Sequence, residues 1–201
     1  MIIQNYSDLQ QAVAAELARN DLLPYIDGFI QRCESKLYRT LNLRHEETAL
    51  NVPIIGGVAA VPGDFKALRH AYYDMTPVQW LDWVQPADIY KDYPDRGVAR
   101  TPCVISREAG NFIFGPTAED GTLRGIYYAK TPSVRTTGTN WYVINAPEVL
   151  LYGSLLEATP FIRNDERLPV WQSFYVDAVA TLETEERFSK HSQGPIRQRS
   201  G

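Results

Sequence analysis

Residue types able to do chemistry are few in this chain of 201 residues, and their spacing keeps them apart. Histidines stand at 45, 70 and 191, cysteines at 33 and 103, and none pairs with another ligand at metal spacing. No CxxC, HExxH, GxSxG, P-loop or GxGxxG run is present, so the sequence lacks the usual arrangements for a metal, an activated nucleophile or a nucleotide phosphate. His45-Glu46-Glu47 comes nearest to an acid–base set. Adjacent residues in a strand point to opposite faces, however, so these three do not converge. Asp88, Asp92 and Asp95 imitate a cation loop, but the glycine and closing glutamate of an EF-hand are missing from their required places, which favours a solvated acidic loop. The sequence therefore predicts no catalytic residue, no metal ligand and no cofactor.

Binding chemistry is more open. Arg69, Tyr72 and Tyr73, or Arg96, Arg100 and Arg107, are the candidates for nucleic-acid contact. The first group alternates along a strand, so half of it must face a core, and the second is scattered among loops. Trp80 and Trp83 suggest sugar stacking, with core or interface packing the better reading. Twelve tyrosines and four tryptophans supply side chains with an apolar body and a polar tip, suited to interfaces as well as cores.

Charge separates along the chain. The net charge is −4, yet four of the 20 basic residues and none of the 24 acidic ones lie from Arg187 onward, which leaves −8 on residues 1–186. An acidic body disfavours tight wrapping of nucleic acid, while the basic end can meet an acidic protein surface or remain solvated. Two distant cysteines read as free thiols of a reducing compartment. The opening Met1-Ile2-Ile3-Gln4-Asn5 lacks the basic and apolar regions of a signal peptide, and no run approaches a membrane span, so cytosolic production is expected.

The elements that must position these residues follow from periodicity. Ser7 and Gln10 form a capping-box pattern opening a helix through Leu9, Val13 and Leu17 to about Asn20. After a turn at Leu22-Leu23-Pro24, a second helix runs from about Tyr25 to Leu41 with Ile26, Ile30, Cys33, Leu37 and Leu41 on one face, which makes Cys33 a core thiol. From His45 the period changes to two. Strands are predicted around Thr48–Val52, on both sides of a Gly56-Gly57 hairpin turn, at Leu68–Tyr73, and near Val78–Trp80 as its partner. A short helical piece follows at Pro86–Lys91. Three more strands are read at Cys103–Ser106, Asn111–Phe114 and Thr122–Tyr128. Polar residues Thr131–Asn140 lead back to helices. Asn145 is the expected cap and Pro147 the first-turn residue of one, which Pro160 ends or kinks. Asp165 is the expected cap of the last, with Pro169 in its first turn. Leu168, Trp171, Tyr175, Ala178 and Leu182 make its apolar stripe, and Gln172, Asp177, Glu183 and Glu186 its polar face.

The fold class is thus α+β: a four-helix bundle of two N-terminal and two C-terminal helices, a β-rich sandwich or barrel insertion, and an extended C-terminal tail. The boundaries read as 1–44 and 131–188 for the helix pairs, 45–130 for the insertion and 189–201 for the tail.

Several landmarks then carry a resemblance across most of the chain. They are Glu34-Ser35-Lys36-Leu37-Tyr38-Arg39, the turn Val61-Pro62-Gly63-Asp64-Phe65-Lys66-Ala67-Leu68-Arg69, and the strand Pro102-Cys103-Val104-Ile105. Phe114-Gly115-Pro116 and Ala146-Pro147-Glu148, with Leu155-Leu156-Glu157-Ala158 beyond it, complete the set. In this order they resemble the head-to-tail adaptor, or connector, proteins of tailed bacteriophages. The resemblance implies a structural protein of the virion neck, assembled in the host cytoplasm. It implies a homo-oligomeric ring, usually twelvefold, beneath the portal protein, meeting tail or nozzle proteins. Double-stranded DNA would pass through its channel without sequence-specific binding, and no membrane is involved. Phe188, His191, Pro195, Ile196, Arg197 and Arg199 of the tail are the expected portal-binding residues. The alternatives are an autonomous nucleic-acid-binding module and a small hydrolase or lectin-like domain.

Overall fold

The computed structural model describes residues 2–162 and 165–191, with side chains described up to Phe188. It divides into a helical unit, residues 1–43 with 131–201, and a β unit, residues 44–130. Among the described residues there are seven α-helices and seven strands, a mixed α+β chain.

In the helical unit, α1 (Tyr6–Leu17) and α2 (Ile26–Thr40) are joined by a 3-10 segment over Asn20–Tyr25. The cap of α1 is Asn5, not Ser7: the Asn5 side chain accepts from the Asp8 amide at 3.0 Å, and the Asp8 carboxylate accepts from the Gln4 amide at 3.0 Å. The Asn5 side-chain amide also donates to the Asp8 carboxylate at 3.0 Å, so cap and third helical residue hold each other, one orphan helix amide is satisfied, and the start lies ahead of the Ser7–Gln10 pattern. The helix also closes earlier than Asn20, because Ala18 takes a left-handed conformation at φ 51°. The α2 stripe is as predicted, with Ile26, Ile30, Cys33, Leu37 and Leu41 all buried.

Between the β unit and the late helices the chain forms two short helices, α4 (Val134–Thr137) and α5 (Trp141–Asn145), inside and just beyond the stretch read as a polar connection. Asn145 therefore ends α5 and does not cap its successor. The next helix, α6 (Pro147–Glu157), has Ala146 at its cap and Pro147 in its first turn, and it stops before Pro160. The last, α7, covers Leu168–His191. Asp165 does not cap it; its carboxylate accepts from the Arg167 amide at 2.9 Å, a turn just ahead of the helix.

The helices gather about α6, which packs against α1, α2, α5 and α7. Small residues make this possible. A Cβ added at Gly153 would lie 2.4 Å from the Cys33 sulfur on α2 and 3.0 Å from Cε2 of Tyr175 on α7, so glycine alone permits both neighbours to approach. The stripe on α7 is buried as predicted at Trp171, Ala178 and Leu182. Its other face departs from expectation: beside the acidic residues it exposes Val170, Phe174 and Val176.

The β unit is a closed barrel in the order β1-β2-β6-β5-β4-β3-β7. Its strands are β1 (Glu47–Ile55), β2 (Val58–Ala60), β3 (Phe65–Tyr73), β4 (Gln79–Trp83), β5 (Val104–Glu108), β6 (Asn111–Gly115) and β7 (Gly121–Ala129). The β1–β2 hairpin turns at Gly56 and Gly57, with φ of 60° and 79°, values that suit glycine and the twist of paired strands. Every pairing is antiparallel except β4 with β5, which requires the crossover that carries α3 (Pro86–Asp92). Two register shifts along β3 bend the sheet against β7. Gly125 sits opposite this bend, where an added Cβ would fall 2.1 Å from the His70 carbonyl oxygen. Inside the barrel pack Leu50, Ile54, Ile105, Phe112, Phe114 and Leu123. Closure leaves no open sheet edge.

Candidate functional site

The residues singled out for catalysis are placed in structural contacts. His45 and Glu46 belong to a 3-10 turn, Arg44–Glu46, and not to a strand. Glu46 is buried with Lys66 at 2.6 Å, and Glu47 pairs with Arg69. Asp88, Asp92 and Asp95 are all exposed, and among the described residues no group of His, Cys, Asp or Glu is arranged to hold a metal ion. His70 lies against Trp80 on the barrel, away from His45 in sequence and pairing.

Of the loop candidates, Arg100 is exposed with its backbone amide donating to the Thr117 carbonyl at 2.8 Å, while the other two are engaged through their side chains. Arg96 donates to the Phe114 carbonyl and lies 5.7 Å over the Tyr90 ring, and Arg107 lies 5.4 Å over Phe65. Arg124 meets Asp74 at 3.1 Å. Of the β3 group, Tyr73 is buried, Tyr72 half-buried and Arg69 exposed; simple alternation would put Arg69 and Tyr73 on one face, and the register shift between Leu68 and His70 is what separates them.

What the surface does present is exposed apolar and aromatic area on rigid elements. On the barrel, Trp80 is 61% exposed, with its ring 5.6 Å from His70 and 5.7 Å from Tyr72; Trp83, Met75 and Val78 are exposed nearby in the chain. On the helical unit, the Phe174 ring lies tilted against Tyr152 at 5.0 Å, with Val170 exposed one turn earlier on α7. A second cluster joins Tyr25 to Phe161, which also meets the buried Phe29 at 5.4 Å. Phe188 is 69% exposed near the end of α7. The side chain of His191, and Pro195, Ile196, Arg197 and Arg199 altogether, lie outside the described residues.

Ionic and polar ties hold these surfaces in place. The Glu34 carboxylate on α2 accepts from Ser133 Oγ at 2.7 Å, the Val134 amide at 2.8 Å and Asn140 Nδ2 at 3.0 Å, so it fixes both short helices. Glu157 at the end of α6 pairs with Arg32 and Lys36 of α2. Burial pushes the Cys33 thiol up to about 12, with the Glu157 charge adding to the effect, and burial likewise pushes the Tyr175 hydroxyl up to about 12. Tyr6 is raised too, by burial and then by the adjacent Asp27 carboxylate. A hydrogen bond from Arg167 holds Asp165 down at about 2. Sequence reasoning missed Arg167 and Gly153 as fixing points, since neither is part of a local pattern. Glu34 appeared only within a family-like run.

Exposed rings carried on ordered elements are the chemistry of protein contact. The chain belongs to the SU10 adaptor protein family, whose model matches residues 4–199, nearly its whole length. This is a family of phage head-tail adaptors, structural in role, that interact with portal and tail components. It agrees with the resemblance read from the landmarks. A search of curated proteins found no match.

Proposed function

We propose that the chain is one subunit of a ring beneath the portal in the virion neck, usually twelvefold in such adaptors, that joins capsid to tail and continues the DNA channel. In this reading α1, α2, α6 and α7 act as a four-helix bundle bracing the channel. The barrel faces outward or toward tail or nozzle proteins. The tail, residues 189–201, docks on the portal through His191, Pro195, Ile196, Arg197 and Arg199, together with Phe188 just before it. DNA passes without sequence-specific binding, since a body of net charge −8 over residues 1–186 does not collect phosphates.

The observation that supports a ring best is the exposure of Val170, Phe174 and Val176 on the longest helix, together with the family match. A head-to-tail ring needs two unlike patches on each copy, and the Tyr25–Phe161 cluster offers a second on the same unit. Native mass spectrometry with and without portal tests this. A monomer that becomes a ring on the portal is expected; a monomer that stays single in its presence sinks the reading. Deletion of residues 189–201 with undiminished adaptor on purified heads would remove the tail's role alone. A salt-sensitive gel shift by the free monomer would favour the nucleic-acid alternative.

A further inference from the structure

A groove of about 310 Å³ opens in the helical unit where α2 ends beside the C-terminal half of α7. Thr40, Leu41, Asn42 and Leu43 line one wall, and Glu183, Glu186 and Arg187 the other. Leu41 and Leu43 are buried and give the floor an apolar character. Two glutamates against one arginine leave the lining with a net charge of −1, and the end of α2 adds to it. Glu183 is exposed on α7, and the carboxyl-terminal end of α2 directs its last carbonyls and the negative end of its dipole to the same place.

The chain itself contains a segment of matching chemistry. After His191 come Ser192-Gln193-Gly194-Pro195-Ile196-Arg197-Gln198-Arg199-Ser200-Gly201, with two arginines and no acidic residue. Ile196 is its single bulky apolar side chain. Reach is sufficient. From Glu183 to His191 the helix rises about 12 Å, whereas ten extended residues span roughly 33 Å. Gly194-Pro195 is a sequence suited to reversing direction between the two. Tethering also favours this occupant, because a segment joined by a few residues faces its site at an effective concentration on the order of millimolar.

We infer that this groove is the docking site of the chain's own C-terminal segment, with Ile196 over Leu41 and Leu43 and with Arg197 and Arg199 toward Glu183 and the end of α2. The contact is a latch: it shields the segment in the free subunit. Its consequence for assembly, that the portal competes the segment out of the groove, rests on the portal reading above, whereas the contact itself does not.

The experiment uses the full chain with Cys103→Ser and a nitroxide on Ser200→Cys, Cys33 being too buried to label. Amide resonances of ¹⁵N-labelled protein are then read at low salt. The expected result is at least a halving of intensity at Thr40, Asn42 and Glu183, relieved at high salt and by Arg197→Glu with Arg199→Glu. No broadening at those amides overturns the latch, and so does broadening that survives the charge reversal. A mixture of nitroxide-bearing unlabelled chain with ¹⁵N chain must show no effect; broadening there assigns the groove to a neighbouring copy's segment and overturns the own-chain contact. Portal is absent throughout, so failure here leaves the portal reading standing. Loss of portal binding with the broadening intact would fail that reading alone.

Discussion

Arg167 holds its guanidinium 4.8 Å over the ring of Trp171, one turn further along α7. From that position it donates to the Glu16 and Leu17 carbonyls at the end of α1, at 2.5 and 3.3 Å, and to the Asp165 carboxylate. One side chain thus closes α1 and seats the start of α7. Arg167→Ala is expected to cost about 1–2 kcal/mol, the lower end of charge-assisted bonding because the side chain is partly exposed. Arg167→Lys should recover less than half, since a point charge cannot span two carbonyls and a ring. Trp171→Ala, which empties a buried stripe position, should cost more, roughly 3–5 kcal/mol. Urea unfolding orders the three variants; a Trp171→Ala midpoint equal to the parent's contradicts the packing described.

Gly153 offers a test in which two effects compete. Alanine gains up to about 1 kcal/mol over glycine in a helix interior. Against this, its Cβ would sit 2.4 Å from the Cys33 sulfur and 3.0 Å from Tyr175. Overpacking typically costs about 1–3 kcal/mol, so Gly153→Ala is expected to destabilise on balance. Combining it with Cys33→Ala should return part of the loss, because the nearest colliding atom is gone. A double-mutant cycle in urea with no coupling would refute the close approach of α2 and α6.

These two residues also mark where the sequence stops being readable. The buried stripes of α2 and α7 and the Gly56-Gly57 turn were legible, because periodicity and turn chemistry are local. Strand positions were legible to within a few residues, since alternation and Gly/Pro boundaries agree. Barrel closure was not, because it depends on the parallel β4–β5 pairing and on the β3 register shifts, which bring together residues far apart in sequence. Short helices α4 and α5 were hidden in a polar run too brief for periodicity, and they depend on Glu34, about 100 residues earlier. Exposure of Val170 and Phe174 was also unreadable, since an apolar residue on a helix is ordinarily assigned to the core.

Alkaline pH should loosen the helical unit. Cys33 and Tyr175 are acids whose neutral form the fold favours, with pKa values raised from 9.0 and 10.0 to about 12 in both cases. Below pH 9 both are protonated folded or unfolded, and stability is at its full value. As pH rises from 9 toward 12 the unfolded chain releases protons that the folded chain retains, so stability falls across that window. Cys33→Ala should shallow the decline relative to the parent in unfolding curves taken at successive pH values. At neutral pH a thiol reagent should modify the half-buried Cys103 first and reach Cys33 only under unfolding conditions.

Glu34→Ala is expected to act locally before it acts globally. It removes the acceptor for the Val134 amide, Ser133 and Asn140 together. Losing hydrogen bonds to a charged group costs about 1.5–3 kcal/mol, concentrated in the segment it holds. Hydrogen exchange should quicken over residues 133–145 while the barrel amides keep their protection. Equal quickening in both units would argue against a local tie.

Trp80 separates stability from assembly. Its ring is 61% exposed and contacts only the outer faces of His70 and Tyr72 among the aromatic side chains described, so Trp80→Ala should shift the unfolding midpoint little, within about 0.5 kcal/mol. An interface anchor behaves otherwise, because truncating a buried tryptophan at a contact often costs at least about 2 kcal/mol of binding. If the barrel meets tail or nozzle proteins, Trp80→Ala should leave the adaptor folded and still loaded on portal-bearing heads, but reduce tail attachment in an in vitro complementation assay. Phe174→Ala should show the reverse, with ring formation lost first. Tail attachment unchanged by Trp80→Ala would remove the β3–β4 face from the contact and leave the ring reading to stand or fall on α7.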